Sequence, residues 1–210
     1  TPIDKNGQIL DNAITSFDSR TSGISEQIEQ KISPLEIMEI TGMPLSDIST
    51  VAKLIWLRRE KPDIYNRTWK FLCFSDFIYH QLGIRPVSID YSLAARTMAF
   101  DILNNCWSDK ILSITGIDPK LFARPVQSGS IIGQIGLPIA EELGLPKSVL
   151  GVAGGHDQPC GALGAGIIEH GNVMDATGTV ECIAPAITEP ILTQQMIDGN
   201  FCCYPHTVSG

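Results

Sequence analysis

Between residues 22 and 60, apolar side chains recur every three or four positions, the period of a helix that buries one face. Ser33 and Pro34 form a helix start signal, and Gly42 lies where a helix commonly ends. This pattern predicts helices over 22–32, 34–41 and 49–60.

Strand signals are short apolar runs, often β-branched, that lie between turn-forming residues. Such runs occupy 13–17, 69–74, 131–135, 149–153, 173–176 and 180–186. The chain shows no internal repeats and no low-complexity tracts. We therefore expect a folded chain that mixes helices with short strands.

The stretch over 149–183 carries the most informative order of elements. A strand-like run ends at two glycines, and Asp157 then stands at the start of an Ala- and Gly-rich segment that predicts a closely packed helix. The Thr-Gly-Thr sequence at 177–179 lies in the bend between two further strand-like runs. This layout suits a base that faces a phosphate. Asp157 alone is also typical of a helix N-cap, and the bend is also an ordinary strand connection.

Charge and composition narrow the classes of partner. Of the 210 residues, 43% are hydrophobic, which indicates a folded protein with a sizeable core. Fifteen Lys and Arg against 23 Asp and Glu give a formal net charge of −8, which opposes nucleic-acid binding. An acidic chain can still bind a phosphate-bearing ligand, because backbone N–H groups act locally. No apolar run reaches the roughly 20 residues of a membrane span, so we expect no membrane partner.

The six cysteines include no CxxC pair, and no Cys/His cluster has the spacing of a zinc site. Cys202 and Cys203 are adjacent, which suits neither a disulfide framework nor a standard metal site. Reduced thiols are typical of the cytoplasm. We therefore expect a cytoplasmic protein with no metal site built from its own side chains.

The ordered pattern GGHDQ…ALGAG…GNVM…TGT resembles the FGGY family of carbohydrate kinases. The resemblance implies a partial α/β fold of the ribonuclease H-like, actin-like ATPase class. It also implies ATP-dependent phosphorylation, with Mg²⁺, of a hydroxyl on a sugar, sugar acid or polyol. In these terms Asp157 is the general base, and Thr177, Gly178 and Thr179 hold the ATP phosphates.

Further candidate site residues lie beside the base and near the start of the chain. His156 and Gln158 flank the base, and each is either a ligand of a sugar hydroxyl or simply a polar residue at the helix entrance. The glycines at 154–155 lack Cβ atoms, which would let the sugar hydroxyl approach the carboxylate. Asp18 and Arg20 resemble the end of the family's Trp-x-Asp-x-Arg signature and would help to shape the sugar site. A salt-bridged turn at a strand end is the competing interpretation of that pair.

The stretch VSIDYSLAARTMAFDI is similar to a segment that lies beneath the sugar site in these kinases. Within it, Asp90 either contacts substrate or caps a helix, and capping is the commoner role of an Asp in such a place. We expect residues 1–169 to be the latter part of the N-terminal, sugar-binding domain. Residues 170–210 would begin the C-terminal, ATP-binding domain.

The family's opening Asp-x-Gly-Thr phosphate loop and its adenosine-binding Gly-Gly segment do not occur in this sequence. We therefore expect a fragment from the middle of a kinase whose ligands are a sugar or polyol and ATP. The sequence is also compatible with a homodimer. Two alternatives remain. One is a non-catalytic, sugar-binding or regulatory member of the actin-like superfamily, and the other is an assembly module whose helical half serves a partner.

Overall fold

The computed structural model describes residues 1–178 and 180–208. The helix with the most complete start and stop signals in the sequence forms as expected. Ser33 Oγ accepts a hydrogen bond from Glu36 N at 3.2 Å, and Gly42 adopts the left-handed conformation, with φ of 64°, that ends the helix. The predicted helix 34–41 is confirmed at both ends. The helices are α1 (Ile24–Glu29), α2 (Pro34–Thr41), α3 (Thr50–Glu60), α4 (Pro62–Arg67), α5 (Phe74–Gln81), α6 (Tyr91–Ala95), α7 (Asp109–Thr115), α8 (Leu137–Glu142), α9 (Asp157–Gly164) and α10 (Gln194–Asp198).

The strands are short and pair two by two in the described part of the chain. They are β1 (Pro2–Ile3), β2 (Lys70–Phe71), β3 (Ser88–Asp90), β4 (Phe100–Asp101), β5 (Cys106–Trp107), β6 (Arg124–Val126), β7 (Ile131–Gln134), β8 (Leu150–Val152), β9 (Val173–Thr177) and β10 (Glu181–Pro185). The pairs β1–β2, β4–β5, β7–β8 and β9–β10 are antiparallel. The pair β3–β6 is parallel, and Asp90 lies opposite Val126. The loops that follow these two strands therefore begin side by side.

The main hydrophobic core lies between the helices of the first half and the segment around α7. It includes Ile24, Ile37, Leu54, Leu57, Met98, Ile111, Leu112 and Phe122. A second cluster, around Phe100, packs β1, β2, β3 and α6 together. A third and smaller cluster of Ile84, Ile132 and Ala153 lies under β7 and β8. One face of β8 therefore packs against this cluster, and the loop that follows β8 begins at the buried Ala153.

The strand predicted over 13–17 is not formed. These residues are irregular and end in a turn, and Phe17 is 85% exposed. A strand needs a neighbour for its backbone hydrogen bonds, and none of the described strands pairs with this segment. Apolar alternation alone does not supply that neighbour.

A buried carboxyl group stands on α5. Asp76 is 1% exposed, and its Oδ2 accepts a hydrogen bond from Cys73 N at 3.1 Å. Burial raises the pKa of Asp76 from its ordinary value near 3.8 to about 7. The folded state therefore binds a proton here more tightly than the unfolded state between about pH 4 and 7. This contribution to stability is present at the acid end and is lost as the pH rises through that window.

Replacing Asp76 with Asn should remove this pH dependence, because the amide keeps the size and the acceptor but does not titrate. We expect the free energy of unfolding of D76N to fall less than that of the wild type between pH 4 and pH 7. Urea titrations at pH 4, 5.5 and 7 measure the difference. Asp63→Asn, at an exposed position, is the control. Parallel profiles for the wild type and D76N would contradict the prediction.

Candidate functional site

Asp157 is the first residue of α9, directly after the loop that leaves β8. The residue before it, His156, is the N-cap, with extended backbone (φ −60°, ψ 145°). The N-cap of α9 is therefore His156, and the interpretation of Asp157 as the N-cap is wrong by one residue. Its side chain is 79% exposed, so the carboxylate projects from a helix N-terminus into open space.

The contacts of the Asp157 carboxylate are local. Its Oδ1 accepts a hydrogen bond from Gln158 N at 2.9 Å and lies 3.2 Å from His156 Nδ1. The partial positive charge of a helix N-terminus stabilises a carboxylate at this position. An exposed carboxylate so placed can accept a proton from a hydroxyl that approaches it.

The imidazole of His156 is packed rather than exposed. Its ring centre lies 5.7 Å from that of Tyr204, and burial lowers the pKa of His156 although Asp157 acts to raise it. A neutral imidazole has one donor and one acceptor nitrogen. Burial also raises the pKa of Tyr204 to about 12, so that phenol keeps its proton. Both side chains can therefore hydrogen-bond an uncharged hydroxyl compound.

Two buried polar atoms near this loop lack a hydrogen-bond partner among the described residues. They are Gln158 Oε1 and His206 Nε2. Buried polar atoms in folded proteins are nearly always satisfied by protein, water or ligand. The predicted site residues His156, Asp157 and Gln158 thus lie together, and Gln158 Oε1 and His206 Nε2 are available to hydrogen-bond a ligand or water.

The loop before Asp157 is tightly packed at Gly155. A Cβ there would lie 2.4 Å from Thr207 Cγ2, 3.0 Å from Cys160 Sγ and 3.2 Å from Ser92 Oγ. The space that sequence reasoning assigned to an incoming sugar hydroxyl is therefore occupied by the protein's own side chains. At Gly154, by contrast, a Cβ would meet only Tyr79 Oη, at 3.6 Å.

The predicted bend at 177–179 connects β9 and β10, which pair antiparallel with Thr177 opposite Glu181. Gly178 N donates to Val180 O at 3.3 Å, and Thr179 lies outside the described residues. α9 packs against β10. No hydrogen bond or ion pair among the described residues joins Thr177 or Gly178 to Asp157, and their role toward phosphate stays a prediction.

Asp18 and Arg20 form a salt-bridged turn. Arg20 Nη2 lies 2.6 Å from Asp18 Oδ2, and its guanidinium carbon lies 4.9 Å from the ring centre of Trp56. The hydrogen bond from Arg20 holds the pKa of Asp18 down at about 2. The contacts described for this pair do not reach α9. The structure therefore groups the pair with Trp56, and its role in a sugar site remains a prediction.

Sequence reasoning missed the residues that hold the Asp157 loop from outside. His156 N donates to Ser92 Oγ at 2.8 Å, and Thr207 Oγ1 donates to Pro159 O at 3.2 Å. These partners are 64 and 48 positions apart in the sequence. No local pattern could have indicated them. For Asp90, capping is confirmed, since its Oδ2 accepts from Ser92 N at 2.8 Å at the start of α6.

A model of the FGGY family of carbohydrate kinases, N-terminal domain, matches residues 1–164. The chain belongs to this family. The family predicted from the motifs of 149–183 is therefore confirmed.

Named relatives of this FGGY-family chain phosphorylate different sugars, as their names state. It is 32% identical to L-fuculokinase of Escherichia coli K12 over 181 residues, which cover 86% of this chain and 38% of that kinase. It is 28% identical to gluconokinase of Bacillus subtilis over 98% of this chain and 39% of that kinase. It is 29% identical to xylulose kinase of Staphylococcus xylosus over 98% of this chain and 42% of that kinase. The chain thus spans about two fifths of the length of these relatives.

Solved structures show the same fold for this FGGY-family chain. Xylulose kinase from Rhodospirillum rubrum superposes with a TM-score of 0.80 at 22% identity, covering 87% of this chain and 37% of that one. Glycerol kinase from Plasmodium falciparum, solved with ADP, superposes with a TM-score of 0.78 at 20% identity, and the match covers 86% of this chain and 36% of that one. The chain has the actin-like ATPase fold in part, as the resemblance implied. The boundary expected near residue 169 stays a prediction.

Within residues 1–178 and 180–208, no helix of the FGGY-family chain has the length and apolar character needed to cross a membrane. The same residues contain no group of three or more His, Cys, Asp or Glu side chains that could hold a metal ion. Mg²⁺ is commonly held by one or two carboxylates together with substrate phosphates. The exposed Asp157 carboxylate can serve as one such ligand, so the residues present are compatible with Mg²⁺ that enters with ATP.

Proposed function

We propose that this chain carries the sugar site and the general base of a kinase that uses ATP to phosphorylate a sugar, sugar acid or polyol. One observation carries the proposal beyond family membership: the exposed carboxylate of Asp157 at the start of α9, beside a loop that the rest of the fold holds in place. An N-cap residue would turn its side chain back onto the helix. Asp157 does not occupy that position.

The proposed reaction needs little covalent help from the protein. The substrate hydroxyl oxygen bonds to the γ-phosphorus of ATP, the bond to the bridging oxygen breaks, and ADP leaves. The hydroxyl proton passes to Asp157. A carboxylate can take this proton, because the proton is transferred late in a loose transition state.

The neighbours of Asp157 would orient the substrate. Burial lowers the pKa of His156 and so favours the neutral imidazole, whose Nδ1 accepts from Gln158 N and whose Nε2 can donate to a hydroxyl. Gln158 Oε1 is a buried acceptor that lacks a partner in the described part of the chain. A polyhydroxylated ligand would satisfy both. Asp18 and Arg20 would contribute from the N-terminal turn, as the resemblance implies.

The bend at 177–179 would hold the ATP phosphates. Gly178 has an open side, since a Cβ there would have only Val180 O nearby, at 3.9 Å. Phosphate oxygens could therefore approach the backbone at Gly178 and the Thr177 hydroxyl closely. Mg²⁺, bound with ATP, would neutralise charge on the transferring phosphoryl group.

The test uses the complete polypeptide that the gene for this chain encodes, with ATP, Mg²⁺ and a panel of ketoses, sugar acids and polyols. We expect ADP release that depends on one class of these compounds, with a phosphorylated product visible by ³¹P NMR. Sugar binding without ADP release would favour the non-catalytic alternative. A partner-dependent change in mass without any sugar-dependent thermal shift would favour an assembly module.

A further inference from the structure

Asp90 is a buried carboxylate at the end of β3 that gathers several hydrogen bonds. It is 2% exposed, and its Oδ2 accepts from Ser92 N at 2.8 Å, from Ser92 Oγ at 2.5 Å and from Ser128 Oγ at 3.2 Å. The parallel pairing of β3 with β6 brings Ser128 to this edge. Such a cluster exceeds what is needed to cap α6, a helix of five residues.

Ser92 connects this carboxylate to the Asp157 loop. Its hydroxyl is fully buried and donates its single hydrogen to Asp90, so its oxygen is free to accept from His156 N at 2.8 Å. The direction of the chain is therefore set: His156 N–H to Ser92, and Ser92 O–H to Asp90. A hydroxyl that donates to a carboxylate is polarised and becomes a stronger acceptor.

The bond to His156 N acts on the backbone one residue before Asp157. The contacts of the Asp157 side chain are all within its own turn, so they do not determine where that turn lies in the molecule. Gly155 packs against Ser92 at the same place. The location of the carboxylate therefore depends on what holds the loop, and Ser92 supplies a hydrogen bond from a different element.

We propose that Asp90 and Ser92 are positioning residues for Asp157, acting through the backbone of His156. The inference rests on the proposed function, because Asp157 is the general base of the reaction proposed there and these two residues would hold it in position. Neither residue needs to touch substrate. A misplacement of about 1 Å in a reacting group can cost on the order of 100-fold in rate, which gives such a bond a catalytic consequence.

Ser92→Ala separates this role from helix capping, because it leaves the bonds from Ser92 N and Ser128 to Asp90 in place. Ser92→Cys is a second variant of nearly the same shape with a weak acceptor. Ser128→Ala is the matched control, since it removes one hydroxyl from Asp90 without touching His156. The complete polypeptide is used throughout. We measure kcat and KM for sugar and ATP, and hydrogen exchange of the 154–160 segment.

We expect S92A and S92C to lower kcat about 10-fold or more with KM for ATP unchanged, and to speed exchange at the His156 amide by a similar factor. For S128A, both kcat and the exchange rate of the His156 amide should stay within about 2-fold of the wild-type values. Wild-type kcat and wild-type exchange in S92A would overturn the inference, as would equal losses in S92A and S128A. If the wild type turns over no sugar, the proposed function fails. Exchange then decides alone: unchanged protection of His156 in S92A would still overturn the inference.

Discussion

Replacing Asp157 with Asn should lower kcat for sugar-dependent ATP turnover by about 10³-fold while the fold is retained. The amide keeps the shape of the side chain and can still accept a hydrogen bond from Gln158 N, but it cannot take the hydroxyl proton. The side chain is 79% exposed and supports no packing. The variant should therefore lose at most about 1 kcal/mol of stability, from the missing charge at the helix N-terminus.

Asp109 offers a matched control for this variant. It is also the first residue of a helix, α7, and is also exposed, but it lies outside the site. Asp109→Asn should reproduce the helix-terminus effect on stability and leave kcat near the wild-type value. Steady-state kinetics and thermal unfolding of both variants make the comparison. Turnover retained in D157N would remove Asp157 from the chemistry.

Replacing Gly42 with Ala should lower the free energy of unfolding by about 2–3 kcal/mol. Gly42 ends α2 with a φ of 64°, a conformation that a side chain disfavours. A Cβ at this position would also lie 1.9 Å from the carbonyl oxygen of Cys203. Neither group can move alone, because Cys203 N donates to Gly42 O at 2.7 Å. The irregular segment around Cys203 would have to move away from the end of α2.

Gly144 isolates the steric part of this effect. It has nearly the same φ, 65°, yet no atom would lie within 4 Å of a Cβ there. Gly144→Ala should therefore cost about 1 kcal/mol, the backbone strain alone. Urea unfolding of the two variants gives the difference. Equal losses would show that Cys203 does not pack on Gly42 as described.

The loss at Gly42 bears on the site as well as on stability. The segment that begins at Cys203 continues through Tyr204, which packs on the His156 ring, to Thr207, which bonds Pro159 O. These contacts cover the loop that carries Asp157. The stability of the C-terminal segment and the order of the candidate site are therefore linked through ordinary packing.

Local signals were sufficient for several parts of this protein. The helix over 34–41 was predicted with its ends, because Ser33, Pro34 and Gly42 act within one turn of the chain. The runs over 173–176 and 180–186 were predicted as strands from their own apolar residues, and they form β9 and β10. The order of motifs over 149–183 was enough to identify the family.

Other features depend on residues that are distant in sequence. The run over 13–17 has strand character but remains irregular, since a strand forms only where another offers hydrogen bonds. A side chain at position 155 would collide with Thr207 and crowd Ser92, which lie far away in the sequence. The buried bond from His156 to Ser92 joins positions 64 apart.

The amino-acid sequence by itself determined the helix over 34–41 with both of its ends, the two strand-like runs around the bend at 177–179, and the family. Only the tertiary structure decided that Asp157 is the first residue of α9 rather than its N-cap, and that His156 N donates to Ser92 Oγ. The physical reason is range. Capping and turn formation depend on neighbours within a few residues, whereas burial and strand pairing depend on segments that meet only when the chain has folded.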